Sequence, residues 1–200
     1  MKTIRFLLLT LVILTSTSAT LPTQVMTWQI QPNSTITIHG SSNINKFGCD
    51  IKGGFRSQPL QSRHDQHSKT SMKATLKGLI TVDIQHFDCR NKLITNDLRK
   101  TLKADQYPTM TIHFLELERL PDVDSDVDFL SGKVLIVLAG QQRQFYLRFA
   151  FNKTAEGYLL EGGRAFTFSD FDLTPPAKAG GLIKVKDEFD VGFKLVLHTI

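Results

Sequence analysis

Few side chains in this sequence have the types and spacing that catalysis or metal binding would need. His64 and His67 are three residues apart, a spacing that can bind a metal ion, but segment 57–71 around them is polar and aperiodic and predicts a loop without further ligands. Four alternating aspartates lack the glycine and the distal glutamate of a calcium loop and predict a solvated acidic turn. They are Asp122, Asp124, Asp126 and Asp128. Without a Gly-x-Ser-x-Gly nucleophile motif either, we predict no catalytic residue, no metal site, no cofactor and no enzymatic activity.

The N-terminal segment has the three parts of an export signal. Lys2 and Arg5 form a basic region, residues 6–14 are mostly apolar, and residues 17–19 are small enough for cleavage. The apolar stretch is shorter than the roughly 20 residues of a membrane span, and no later stretch is long and apolar enough to be one. We predict a signal peptide at 1–19, one domain at 20–200 and a location in the periplasm or outside the cell. An uncleaved anchor is the alternative.

The two cysteines, Cys49 and Cys89, are predicted to form a structural disulfide. Exported proteins fold in an oxidising compartment, where a pair of cysteines is more often bonded than free. A metal or catalytic role has less support, because neither cysteine belongs to a Cys-x-x-Cys motif and His86 near Cys89 has no counterpart around Cys49.

Charge gives no indication of a nucleic-acid partner. The net charge of the whole chain is +5, and two of these positive charges would leave with the signal peptide. No dense run of Lys and Arg is interleaved with aromatic residues. The remaining chain has the length of one domain with a full core, and no repeat or linker divides it.

Hydrophobic residues recur with a period of two along most of the chain, which is typical of strands with one buried face. Segment 73–84 alternates in this way, as do segments 143–151 and 189–197. Gly162 and Gly163 favour a bulge, so we do not assign the inward register beyond them. Shorter strands are predicted at 35–39, 47–55, 109–117, 132–139 and 157–168, which makes eight in all.

One segment, 95–108, predicts a short helix. Asn96 can cap it, Asp97 suits its first turn, Leu98 and Leu102 lie on one face, and Pro108 closes the segment. Eight antiparallel strands with little helix must hide their edges, and closure into a barrel does so most completely. We therefore predict an all-β fold, an eight-stranded antiparallel barrel with one short helix, in preference to a sandwich.

The composition of the inward faces leaves two functions open. The chain has 14 Phe but 1 Trp and 3 Tyr, and Phe offers a large apolar surface without a hydrogen-bonding group. An eight-stranded barrel is just wide enough to be filled by side chains or to hold one slender ligand. The Phe residues would either line a hydrocarbon-binding cavity or pack against one another in a structural or interaction protein that acts through its outer surface.

Several segments together resemble the YceI-like family of exported lipid-binding barrels. The chain contains TWQIQPNSTITIHGSSNINKFGCDI near its start, then ITVDIQHFDCRN, which resembles the second cysteine segment of one branch. LKADQYPTMTIHF resembles the family's helix running through a Pro into a strand, and SDFDLTPPAKAGGLIKVKDEFDVGFKLVL resembles its double-Pro loop and last strand. The resemblance spans 27–197.

This resemblance implies a lipocalin-like barrel that holds a polyisoprenoid or related long-chain lipid. As partners, the sequence allows transient contact with a membrane and a second copy of the chain in a homodimer, and it decides neither. The polar run before Phe47 is predicted to form a turn, or alternatively a rim at which Asn43 and Asn45 meet a ligand headgroup. From alternation, the predicted lipid-binding residues that line the cavity are Leu76, Ile80, Val82, Ile112, Phe114, Ile136, Phe145, Leu147, Phe149, Phe151, Phe189, Val191, Phe193 and Leu195.

Overall fold

The computed structural model describes residues 25–52, 55–64 and 74–200. The predicted signal peptide and His67 lie outside these ranges, and the division into leader and domain remains a prediction. The described part contains a helix α1 (Lys92–Thr101), short 3₁₀ turns, and twelve strands. The strands are β1 (Val25–Ile30), β2 (Thr35–Ser42), β3 (Lys46–Lys52), β4 (Phe55–Ser57), β5 (Leu60–His64), β6 (Ala74–Asp83), β7 (Thr109–Leu117), β8 (Val127–Leu138), β9 (Gln141–Thr154), β10 (Gly157–Thr167), β11 (Ala177–Lys178) and β12 (Ile183–Thr199).

Eight strands close into an antiparallel barrel, which confirms the predicted fold class. The ring runs β1, β5, β6, β7, β8, β9, β10 and β12, and closes where β12 pairs with β1. Two positions in the ring are shared between strands. The first part of β12 pairs with β2 instead of β1, and the last part of β6 pairs with β4 instead of β5. Closure leaves few strand edges exposed, as expected for an all-β domain.

Alternation correctly predicted which faces of the long strands are buried. In β6, Ala74, Leu76, Ile80 and Val82 are buried while Lys77 is exposed. The same holds for the Phe-rich faces of β9 and β12. Successive side chains of a strand point to opposite faces, so a period of two in sequence becomes an apolar interior in a barrel.

The sequence analysis missed two of the ring strands. Strand β5 lies inside segment 57–71, which we had predicted to be a loop, and β1 was not predicted at all. Strand β5 is short and polar, and of its residues 60–63, whose burial is described, Leu60 and Ser62 are buried. Its pairing with β1 and β6 holds it in place through backbone hydrogen bonds that any sequence can make.

Helix α1 begins earlier than predicted. Its N-cap is Asn91, whose side chain accepts hydrogen bonds from the N–H groups of Leu93 at 2.9 Å and Ile94 at 3.3 Å. Asn96 and Asp97 lie within the helix and not at its start. Leu98 and Leu102, which were predicted to share one face, are both buried, Leu102 as the C-cap. In the described part of the chain, no helix has the length and apolar character needed to cross a membrane.

Candidate functional site

An apolar cavity lies inside the barrel, towards the end that carries α1. We call this the covered end, because Leu98 and Leu102 at α1 form part of the cavity wall there. The cavity has a volume of about 100 Å³. Its wall consists of Ile36, Ile38, Ile80, Phe87, Leu98, Leu102, Met110, Ile112, Phe114, Val134, Ile136, Leu138, Leu147, Phe149, Leu160, Arg164, Phe166, Phe168, Phe171, Phe189, Val191, Phe193 and Leu195.

Most of the residues that alternation selected do line this cavity. Whether they bind a lipid remains a prediction. Four of the selected residues, Leu76, Val82, Phe145 and Phe151, are buried but lie outside the wall. Those that line it are Ile80, Ile112, Phe114, Ile136, Leu147, Phe149, Phe189, Val191, Phe193 and Leu195.

The opposite end of the barrel is filled, and we call it the packed end. The ring of Trp28 lies 6.0 Å from that of Phe151 in an edge-on arrangement, and Phe151 stacks on Tyr158 at 4.6 Å. Leu76 also lies towards this end, on the first part of β6. The wrong assignment of Phe151 and Leu76 to the cavity therefore has one cause: they share an inward face with true lining residues but sit nearer the aromatic cluster.

Phe145 is excluded from the cavity by its own aromatic neighbours. Its ring lies 4.9 Å from that of Phe166 and 5.8 Å from that of Phe171. Sequence reasoning missed Phe166, Phe168 and Phe171, because we did not assign the register beyond Gly162 and because the last of these lies in a 3₁₀ turn. Ile36 and Ile38 were also missed, although the alternation of β2 contains the information needed to find them.

The disulfide anchors the helix that covers the cavity. Cys49 and Cys89 are bonded, as predicted. Two backbone hydrogen bonds join Asp50 and Asp88 beside them, at 2.9 and 3.0 Å. The Cys89 N–H donates to Thr95 Oγ1 of α1 at 3.0 Å. The disulfide therefore ties the segment just before α1 to β3, and the Cys89–Thr95 hydrogen bond links that segment to the helix.

The polar run before Phe47 forms the predicted turn between β2 and β3. The Ser42 hydroxyl accepts hydrogen bonds from the N–H groups of Ile44 at 3.2 Å and Asn45 at 3.0 Å. The Asn43 amide donates to the Leu182 carbonyl and accepts from the Lys184 N–H, each at 2.9 Å. Because backbone groups engage its amide, Asn43 has an architectural role in this turn, and the alternative headgroup rim at Asn43 and Asn45 stays a prediction.

The acidic segment before β8 forms the predicted solvated turn at Asp122, Asp124 and Asp126, which are exposed, whereas Asp128 at its end is buried in an ion pair. Arg119 donates two hydrogen bonds to Asp128, at 2.7 and 2.6 Å, and the Asp122 N–H donates a third at 2.8 Å. Asp128 is only 8% exposed. The Arg119 hydrogen bonds are the main reason that the pKa of Asp128 lies below its usual range, while partial burial acts in the opposite direction.

Replacing Asp128 with Asn should lower the free energy of unfolding at pH 7 by about 1 to 2 kcal/mol, because two charge-assisted hydrogen bonds are weakened in a mostly buried site. A carboxyl group whose pKa is lowered by folding stabilises the protein above its unfolded pKa, near pH 4, and loses this effect as the pH falls through its folded pKa. Urea unfolding should therefore show the difference between wild type and D128N at pH 7, and this difference should shrink as the pH falls below about 4. The exposed neighbour Asp124 provides the control, since D124N should change stability by less than about 0.5 kcal/mol. An equal loss in both variants, or a D128N effect that does not shrink on acidification, would contradict this account.

A closed antiparallel barrel with an apolar interior and a helical cover defines the class of this protein as a small cavity-bearing barrel. A sequence model described as the YceI-like domain matches residues 28–197. This match covers most of the chain, so the protein belongs to the YceI-like domain family, as the motifs had suggested. No curated protein has a significantly similar sequence.

Solved structures of low sequence identity share this fold. BcnA of Burkholderia cenocepacia has a TM-score of 0.61 at 15% identity, over 86% of this chain and 100% of that one. A polyisoprenoid binding domain from Saccharophagus degradans, implicated in plant cell wall breakdown, has a TM-score of 0.60 at 10% sequence identity. The match covers 86% of this chain and 98% of that one. The YceI protein of Campylobacter jejuni has a TM-score of 0.52 at 18% sequence identity, over 75% of this chain and 85% of that one. At these identities the likeness establishes the fold alone.

Proposed function

We propose that this protein is a non-enzymatic binding protein that holds the tail of a long-chain apolar lipid, in the first place a polyisoprenoid, inside its barrel. The observation that carries this proposal is the apolar cavity beneath α1. Each methylene moved from water into such a cavity contributes about 0.8 kcal/mol. An apolar wall selects for hydrocarbon, because a polar group buried there would lose its hydrogen bonds to water.

The size of the cavity implies that the protein adjusts when a long tail enters. Apolar cavities of roughly 150 Å³ hold one small hydrocarbon such as benzene, and this one measures about 100 Å³. A longer tail requires its wall to move. Helix α1 is held by side-chain contacts in place of a strand ladder: Arg99 donates to the carbonyls of Gln85 and Phe87, and Lys178 pairs with Asp97 at 2.7 Å. We therefore infer that α1, and not a strand, is the part of the wall that moves.

The wall also argues against catalysis. A reaction on the ligand would need acid, base or nucleophilic groups that face it. Among the residues of the wall only Arg164 is charged, and a guanidinium remains protonated in proteins, so it cannot shuttle protons. We therefore propose a role in carrying, storing or sequestering the lipid in the periplasm or outside the cell, without a cofactor and without a nucleic-acid partner.

Native mass spectrometry of the protein isolated from its own host tests this proposal. We expect a mass higher than that of the polypeptide, and release of an apolar long-chain compound on solvent extraction. The polyisoprenoid is suggested by the family resemblance, and identification of the extract would test it separately. A protein that carries no lipid from its host and takes up none when mixed with a total lipid extract would contradict the proposal. That result would favour the alternative, a barrel that acts through its outer surface.

A further inference from the structure

The barrel wall has a seam next to the cavity, where β9 and β10 separate. The two strands pair from Gly157 with Thr154 as far as Gly162 with Phe149. Beyond that point the two strands no longer pair with each other. Residues 163–167 of β10 keep their pairing with β12, and residues 141–148 of β9 keep theirs with β8. We call these two stretches the seam. In the described structure no backbone ladder joins them, so side chains close the wall there.

Arg164 lies in this seam and on the inward face of β10. Its guanidinium lies over the ring of Phe145 at 5.0 Å and over that of Phe166 at 5.6 Å, measured to the ring centroids. Its Nη1 crosses the seam and donates to the Tyr146 carbonyl at 3.2 Å. Two aromatic rings and one carbonyl therefore fix the direction of the guanidinium.

The guanidinium keeps most of its hydrogen-bonding capacity free. It has five N–H donors in a planar fork that matches a carboxylate or phosphate, and one of its nitrogens donates to Tyr146. Among the described residues, none of the ion pairs involves Arg164. Asp172, in the turn after β10, is paired with Arg143 at 3.2 Å. A cation with free donors thus forms the one charged part of an otherwise apolar wall.

We propose that Arg164 binds the anionic headgroup, a carboxylate or a phosphate, of the lipid whose tail lies in the cavity. The inference rests on the proposed lipid-binding function and specifies the class of lipid. A tail that enters the cavity places its headgroup where the wall meets water, and the exposed Arg164 lies at that boundary. Hydrogen bonds to a charged partner are among the strongest that a protein makes, although exposure to solvent weakens them.

The test compares dodecanoate with dodecanol, which differ in headgroup but share the tail, by calorimetric titration of protein freed of co-purified lipid. The measured quantity is the headgroup preference, the Kd for the alcohol divided by the Kd for the carboxylate. We expect R164Q to lower this preference about tenfold while its affinity for dodecanol is retained, which also shows that the variant is folded. R164K, which keeps the charge without the planar fork, should be intermediate. Since the contact is exposed, the wild-type preference should also fall as NaCl is raised.

The matched control is R148Q, an exposed arginine on the outer face of the neighbouring strand β9. It should leave the headgroup preference unchanged. An unchanged preference in R164Q, or an equal fall in R148Q, would overturn the inference while lipid binding itself stands. Displacement of dodecanoate by inorganic phosphate at a similar concentration would overturn the lipid assignment of the anion. If neither amphiphile binds the wild type, the proposed function fails, and the headgroup assignment fails with it.

Discussion

Replacing Val134 with Trp is expected to weaken the binding of long-chain hydrocarbons about 50-fold. Val134 is almost fully buried on the inward face of β8 and lines the cavity. An indole at this position would occupy space that the lipid tail needs. Excluding three methylene groups of the ligand costs about 2.4 kcal/mol, which corresponds to this factor. The measurement is titration of wild type and V134W with dodecanol.

Lys133→Trp is the matched control, because the adjacent residue on a strand faces the opposite side of the barrel wall. K133W adds the same ring outside the barrel and should bind dodecanol as the wild type does. Circular dichroism and urea unfolding should show that V134W is folded, since the cavity offsets part of the usual cost of overpacking. Undiminished binding by folded V134W would mean that the ligand does not occupy the cavity.

Removing the disulfide, by changing Cys49 and Cys89 to Ala together, is expected to lower the free energy of unfolding by about 3 to 4 kcal/mol. The bridge joins residues 40 positions apart, and the loop-entropy model gives a closure of this length about that value. Because the bridge also holds the segment just before α1 against β3, and Cys89 in that segment donates to Thr95 of the helix, its removal should loosen the cover of the cavity. We expect bound lipid to dissociate several-fold faster from the double variant.

Urea unfolding of the oxidised wild type, the reduced wild type and the double variant measures the first effect. The reduced protein should resemble the variant, which separates the effect of the covalent bond from that of the lost sulfur atoms. A stability change below about 1 kcal/mol in both would show that the bridge does not restrain the unfolded chain. An unchanged rate of lipid release in a destabilised variant would show that α1 does not cover the ligand.

The sequence predicted the inward faces but not which part of the interior is hollow. Leu76 and Ile80 lie four residues apart on the same face of β6, yet only Ile80 lines the cavity. The difference arises at the packed end, where Trp28 from β1 and Tyr158 from β10 fill the space around Phe151. These contacts join residues that are far apart in sequence, so the alternation within a single strand does not predict them.

Arg164 illustrates a second limit of sequence reasoning. Alternation through Gly162 and Gly163 would have placed Arg164 on the inward face, but two adjacent glycines in a strand favour a bulge, and we stopped there. In the structure β10 continues in register with β12 through both glycines. What changes at Gly162 is the pairing with β9, which ends there. Strand propensity describes one strand at a time, so it does not predict the residue at which two neighbouring strands stop pairing.

The start of α1 was predicted too late in the sequence. Asn91 and Asn96 are both suitable N-caps by type, but the sequence analysis considered only Asn96, which Asp97 follows. The structure starts the helix at Asn91, two residues after the disulfide-bonded Cys89, whose N–H is satisfied by Thr95 of the helix. A tertiary constraint decided between two caps of similar local propensity.

The affinity of the lipid-free protein for a series of straight-chain alcohols, from octanol upward, tests the central claim most directly. If the tail is buried in the cavity, each pair of added methylenes should tighten binding about 15-fold, since two methylenes contribute about 1.6 kcal/mol. The increase should end once the tail exceeds the space that the wall and α1 can open. An affinity that does not depend on chain length, or no binding at any length, would contradict the account.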